Sequence, residues 1–471
     1  MAAAPATQPR VMVLPFPAQG HVIPLMELSR KLAGHGVEVD FVNTEFNHDL
    51  VMEAMAEKGA IPDGIHMLTV PDGLGPGDDH ADIGKFVKDL PAAMSGRLEE
   101  MIRSRKIKWV IVDVSMSWAL QVATTAGARV ASFSTYSAAV FALRMNLPKL
   151  IQDGVLDESG DVKGQEQIKM MPPIDASEIP WVSLASTSAP ERRRNNIENV
   201  LKTNLSMPLA EVVILNTSLE LEPDALALLP NALPLGPLVA PTSRPAGHFL
   251  PEDLASLAWL DAQPAGSVVY VAFGSSGFLD ATQFQELADG LALSGRPFLW
   301  VVRPDFTIGA GQDQFDLDAF RRRVEGKGLV VGWAPQQRVL SHPAVACFMS
   351  HCGWNSTVEG VLHGVPFLCW PYFADQFCNQ SYVCNVWGTG AKLRRDERGV
   401  VAKDEVQSKV AWLLGDEGVK ARAVAWKEAA CGSIREGGSS HGNLLKLVSL
   451  LRASIIAPSQ LATSRSISDK V

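Results

Sequence analysis

The sequence has no basic excess: 42 Lys and Arg stand against 51 Asp and Glu, a formal net charge of −9 over 471 residues. Nucleic acid and anionic membrane surfaces are therefore excluded as principal partners, since both are bound through clustered cations. No apolar run reaches the roughly 18 residues of a membrane span, and "MAAAPATQPRVMVLPFPAQG" has no apolar core of signal-peptide length. A cytoplasmic chain without an integral membrane segment is the expectation, and a monomer is expected with it. The six cysteines all lie beyond residue 346 and match no zinc spacing, so buried reduced thiols are expected. No short repeat is present, which excludes a solenoid. No G-x-G-x-x-G follows a strand-like run, which counts against a nucleotide-dependent oxidoreductase.

Hydrophobic residues make up 47% and charged residues 20%, enough apolar material for two cores in a chain too long for one. β-rich runs at 10–16, 37–43, 108–113, 129–134 and 211–216 alternate with amphipathic stretches, including helices over about 24–33 and 116–126. The pattern restarts with runs at 266–275, 297–303, 328–333, 346–351 and 365–370, and a helical segment at 280–294. Continuous apolar strands separated by helices predict parallel sheets covered on both faces. The fold class expected is α/β, with two doubly wound Rossmann-like domains facing across a cleft. Residues 1–240 form the first, 241–252 a Pro- and Gly-rich linker and 253–438 the second. A helix over 439–455 returns to the first domain, and 456–471 is a frayed tail.

"FMSHCGWNSTVEG" (348–360) crowds polar side chains where a strand hands over to a helix. The first amides of a helix lack intrahelical partners and the macrodipole is positive there, so anions bind. Gly353 allows close backbone approach, Asn355 and Ser356 add short donors, and Glu359 lies one turn deeper, suited to the diol of a ribose. From Trp333 to Gln376 the only Lys or Arg is Arg338, so amides, hydroxyls and His351 would hold a pyrophosphate. Read alone, "HCGWNS" also admits the lesser reading of a capped helix with a packed Trp.

The whole 44-residue stretch from Trp333 to Gln376, with its Trp-Ala-Pro-Gln start, central His-Cys-Gly-Trp-Asn-Ser, Gly-Val-Pro and closing Asp-Gln, resembles the donor-binding box of plant secondary-product glycosyltransferases. Those are inverting, UDP-sugar-dependent enzymes of the GT-B type. The resemblance implies that Trp333 stacks on uracil, next to Ala334, with Gln336 near the nucleoside. It places His351, Gly353, Asn355 and Ser356 at the phosphates, Glu359 on the ribose, and Trp354, Asp375 and Gln376 along the sugar. It adds Ser275, from the turn "AFGSSGF" (272–278), near the phosphates. The closing Gln376 favours UDP-glucose as cosubstrate; no cofactor and no metal are expected.

Transfer to an alcohol needs a group that removes the acceptor proton, and histidine suits this near neutral pH. His21 follows the first strand through a glycine turn, with Pro24 read as the first turn of a helix. Asp113 ends another strand at the same edge, where it can orient an imidazole or merely cap the next helix. By resemblance His21 is the catalytic base, Asp113 its partner, and Thr135 a sugar contact. "DLD" (Asp316, Asp318) looks like a metal motif but precedes a helix, where acidic residues suit the dipole. The function expected is UDP-sugar transfer, from UDP-glucose foremost, to a hydroxyl of a small lipophilic metabolite, with flavonoid and phenylpropanoid phenolics favoured. The alternative is a catalytically silent protein that binds a nucleotide sugar or a hydrophobic ligand; loss of His21 or Asp113 would mark it, and both are present.

Overall fold

The computed structural model describes residues 8–56, 61–75, 78, 83–163, 167–168, 174–175, 178–183, 190–239, 255–274, 279–303 and 315–453. Ser275, the linker 241–252 and the tail 456–471 lie outside them.

The first sheet is built from β1 (Arg10–Leu14), β2 (Glu38–Thr44), β3 (Ile65–Val70), β4 (Trp109–Asp113), β5 (Arg129–Ser134), β8 (Val212–Leu215) and β9 (Ala232–Pro234). Between its fifth and sixth strands in sequence, β6 (Gln167–Ile168) and β7 (Ile174–Asp175) form a small antiparallel pair. The order is β3-β2-β1-β4-β5-β8-β9, every pairing parallel. Both faces are covered: Val11 and Val13 enter one apolar cluster and Met12 and Leu14 another. That is why β1 reads as a continuous apolar run and not as an alternation.

The second sheet comprises β10 (Val268–Ala272), β11 (Phe298–Val301), β12 (Gly328–Val331), β13 (Val345–Ser350), β14 (Phe367–Cys369) and β15 (Gly390–Lys392), in the order β12-β11-β10-β13-β14-β15 and again all parallel. The helix Ser439–Ala453 contributes Leu444, Leu447, Val448 and Leu451 to the core of the first sheet.

In each sheet the chain reverses its direction of travel once, between β1 and β4 and between β10 and β13. Such switch points leave a crevice at the carboxyl ends of the strands, where ligands of open α/β sheets bind. His21 and Asp113 follow or end β1 and β4, while Gly274 and His351 follow β10 and β13.

Two details differ from the sequence reading. Strands β3, β9 and β15 carry no strong apolar run and went unpredicted, as did the short pair β6 and β7. The helix read from Pro24 starts at Gln19, so Pro24 lies inside it and His21 in its first turn. Asp316 accepts the amide of Ala319 at 2.8 Å as N-cap of the helix Leu317–Arg323, and Asp318 pairs with Arg321 at 3.0 Å. All six cysteines are free, five of them buried. Among the described residues no helix is long and apolar enough to cross a membrane.

Candidate active site

The turn after β1 delivers His21 into the first turn of the helix Gln19–Gly34, where the Ala18 carbonyl accepts the His21 amide at 2.9 Å. His21 Nδ1 lies 2.8 Å from Asp113 Oδ2, the carboxylate fully buried and the imidazole 19% exposed. A carboxylate only accepts, so Nδ1 carries the proton and Nε2 keeps its lone pair for chemistry. Asp113 Oδ1 meanwhile accepts the Ser115 amide at 2.8 Å. Both sequence readings of this residue hold at once: one oxygen caps and the other orients. Thr135 Oγ1 stands 3.3 Å from the same His21 nitrogen, and Phe16 packs on the ring with centroids 5.1 Å apart.

On the other side β13 ends in Ser350, and a sharp turn leads to the helix Trp354–His363. Cys352 takes a left-handed conformation there (φ 64°), its carbonyl held by Asn379 Nδ2 at 2.9 Å. Gly353 is the N-cap and offers no side chain, so the first amides of the helix stay available. Two glycines grip the His351 ring: a Cβ on Gly353 would stand 2.5 Å from it and one on Gly274 2.7 Å. Desolvation lowers the His351 pKa to about 4; a backbone contact with Ala272 opposes this and the charge of Arg303 adds to it. His351 Nδ1 and Asn355 Oδ1 are buried here without a hydrogen-bond partner, the mark of a site shaped for a polar ligand.

One turn along, Glu359 accepts Gln336 Nε2 at 2.7 Å and Gln337 Nε2 at 3.2 Å. Gln336 Nε2 also reaches Ser356 Oγ at 3.0 Å, and its Oε1 takes the Tyr270 hydroxyl at 3.4 Å. Burial pushes the Glu359 carboxyl up, the two glutamines oppose it, and the charge of Glu27 across the cleft raises it further. Trp333 is half-buried and Ala334 buried in the loop between β12 and the helix Gln336–Leu340.

Asp375 precedes the helix Gln376–Ser381 and accepts Asn379 Nδ2 at 2.8 Å. Desolvation raises its pKa, while that hydrogen bond and the nearby His21 and Arg144 side chains lower it. The dyad and the end of the box thus lie within electrostatic reach of each other. Two of the side chains expected along the sugar also make contacts within the protein. Gln376 Oε1 holds the preceding loop by accepting Tyr372 and Phe373 amides at 2.8 and 3.2 Å. The Trp354 indole is buried against Trp387 and donates to the Asn216 carbonyl at 2.9 Å, so it serves the domain seam.

The two halves meet at a further point beside the base. Asn355 Nδ2 donates to the Gly20 carbonyl at 2.6 Å. That carbonyl is open because the residue four positions on is Pro24, which has no N–H to close the helical bond. Sequence reasoning missed this role, as it missed Phe16, Gln337, Asn379 and Arg303. Of these only Arg303, directly after an apolar strand, left a sequence signal.

Two family models match the chain: "UDP-glucoronosyl and UDP-glucosyl transferase" over residues 194–424 and "Glycosyltransferase, N-terminal domain" over residues 8–55. The chain is 39% identical to UDP-glycosyltransferase 83A1 of Arabidopsis thaliana over 95% of its own length and 98% of that protein's. It is 33% identical to the flavonol 3-O-glucosyltransferase UGT76E12 of Arabidopsis thaliana, covering 94% and 96% of the two chains. Its fold is similar to that of Os79 from O. sativa in complex with UDP, with a TM-score of 0.79 at 27% identity over 94% of this chain and all of that one. A dyad at one switch point, an open helix N-terminus at the other and likeness along nearly the whole length agree: the chain belongs to the plant secondary-product UDP-glycosyltransferases, with their GT-B fold.

Proposed function

We propose that this enzyme transfers glucose from UDP-glucose to a hydroxyl of a small lipophilic metabolite, a phenolic foremost, with inversion and without a metal ion. One observation carries the chemistry: His21 is fixed by Asp113 at 2.8 Å, and the residue before it is bonded to the box helix through Asn355. His21 Nε2 takes the proton as the acceptor oxygen bonds to the anomeric carbon. The bond from that carbon to the β-phosphate oxygen breaks, and UDP leaves with the electron pair. The free amides at Trp354–Ser356, His351, Gly353 and the Asn355 and Ser356 side chains take up the phosphate charge, and the Arg303 charge lies nearby. Ser275 is assigned to the same phosphates by resemblance. Trp333 stacks on uracil beside Ala334, a contact of about 1–3 kcal/mol. Gln336 and Glu359 take the nucleoside and its ribose, and Thr135, Asp375 and Gln376 the hexose. Glucose is favoured by Gln376 and by the glucosyltransferase name of the flavonol-active relative. We further propose that the enzyme works as a cytoplasmic monomer.

The test pairs UDP-glucose, UDP-galactose and UDP-xylose with phenolic, terpenoid and hormone acceptors in EDTA, read by mass spectrometry. A hexose adduct from UDP-glucose is expected, with its β-anomer seen by NMR. His21→Ala should lower turnover about 10²–10⁴-fold, the range for losing a general base, with UDP affinity kept. Full turnover in that variant removes His21 from the mechanism.

A further inference from the structure

Arg144 has no role in the reaction as derived above. It is the only charged residue between Arg129 and Lys149, and it sits in the otherwise uncharged segment "FSTYSAAVFALRMNLP". That segment runs from the carboxyl end of β5 into the helix Ala138–Gln152. Its guanidinium lies over the Tyr136 ring, 4.9 Å from the centroid. Tyr136 is tied to the dyad: its hydroxyl is 3.3 Å from Ser115 Oγ, and the Ser115 amide is held by Asp113. Among the described residues no carboxylate comes within ion-pair distance of Arg144, and its Nε is buried without an acceptor. Asp375, at the end of the donor box, feels the charge of Arg144.

A guanidinium is always charged, and a partly enclosed one without a counter-ion is costly to keep. Resting on the transferase reading, we propose that Arg144 is the carboxylate-binding group of the acceptor pocket, and that the preferred acceptors are hydroxy acids. The acid is held by the guanidinium against Tyr136 while a separate hydroxyl of the same molecule reaches His21 Nε2. An Arg fork matches a carboxylate in two parallel hydrogen bonds, which fixes orientation as well as affinity. Placement on the β5 side, beside Tyr136 and Ser115, puts the anion on the acceptor half of the cleft and apart from the box that meets the diphosphate.

The experiment compares a phenolic carboxylic acid with its methyl ester as acceptors, with UDP-glucose as donor, for wild type, Arg144→Ala and Arg144→Lys. Wild type should prefer the acid. Arg144→Ala should raise KM for the acid about 10–100-fold, the worth of a hydrogen-bonded charge, and leave kcat and the ester within about threefold. Arg144→Lys should recover part of the loss. Equal losses for acid and ester, or no preference in wild type, would overturn the assignment. So would a loss confined to UDP-glucuronate in a donor comparison, which would place the carboxylate on the sugar. Calorimetry of the acid and the ester with UDP-loaded protein keeps the question separate from turnover. If neither acceptor is glycosylated but the acid still binds through Arg144, the transferase reading fails and the carboxylate site stands.

Discussion

On the proposed reading, Glu359 serves both fold and ligand. Its carboxylate is nearly buried, held up by two glutamine amides and faced by Glu27 from the other half. Ribose hydroxyls would bring it two more donors. Glu359→Ala is therefore expected to weaken UDP about 10–100-fold, the range for hydrogen bonds to a charged group. Titration calorimetry with UDP measures this, and an unchanged Kd dismisses the ribose assignment. At this scale the sequence was legible in residue type and spacing: His21, Asp113, Asn355 and Glu359 all fall at the carboxyl edges of their sheets. Side-chain commitment was not legible. Nothing in "HCGWNS" says that the Trp354 indole turns to Asn216, because that depends on a carbonyl 138 residues away. Gln376 likewise uses its oxygen on its own loop, which only the left-handed turn at Ala374 brings within reach.

Among the elements, the helix Gln19–Gly34 departs furthest from expectation. Reading proline as a first-turn residue set its start five residues late, because an interior proline normally costs about 3 kcal/mol. Here the freed Gly20 carbonyl finds Asn355 instead, which offsets part of that cost. Pro24→Ala supplies an N–H that competes with Asn355 for the same oxygen. Turnover is expected to fall about 2–10-fold, the equivalent of one neutral hydrogen bond, while Tm does not fall. Stopped assays and thermal melts on the one variant decide it; unaltered turnover would show that the bond does not position the base. Besides the short pair β6 and β7, the strands that escaped the sequence reading, β3, β9 and β15, are all at sheet edges. An edge strand has one neighbour and less burial, so it need not carry the apolar run by which interior strands declare themselves.

At the scale of the whole molecule, the alternation of apolar runs and amphipathic stretches carried the two-sheet architecture, since parallel pairing leaves few other solutions. The response of that architecture to pH is set by buried groups that the sequence did not flag. Glu222 accepts the amides of Ala138 and Ala139 at 2.8 and 3.1 Å, closing the start of the helix that bears Arg144. Burial raises its pKa from 4.5 to about 7, with the two amides opposing. A carboxyl raised in the folded state stabilises most below its ordinary pKa, and this contribution is lost as pH climbs through 7. His351 and His363, both lowered to about 4 mainly by desolvation, act oppositely and lose their contribution as pH falls from 6.5 towards 4. Glu222→Gln leaves the histidines alone. Its Tm relative to wild type should therefore rise from pH 5 to pH 7 and level off above that, and parallel melting curves across pH 5–7 would refute the assignment.

The seam between the halves has a chemical asymmetry. Asn355 is received by the carbonyl of Gly20, Trp354 by that of Asn216, and Trp387 by that of Leu221. Asn443 and Arg452, on the last helix, are received by the carbonyls of Pro234 and His35. In these five bonds the C-terminal residue offers a side chain and the N-terminal residue only its main chain, whereas Lys392 and Ser439 meet the side chains of Glu178 and Glu220. Substitution cannot delete a carbonyl, so these five bonds persist when the acceptor half varies its side chains, and only those to Glu178 and Glu220 are exposed to such change. A lineage of such enzymes can explore new acceptors at little risk to assembly, and a chimera that exchanges the first domain between relatives should still close.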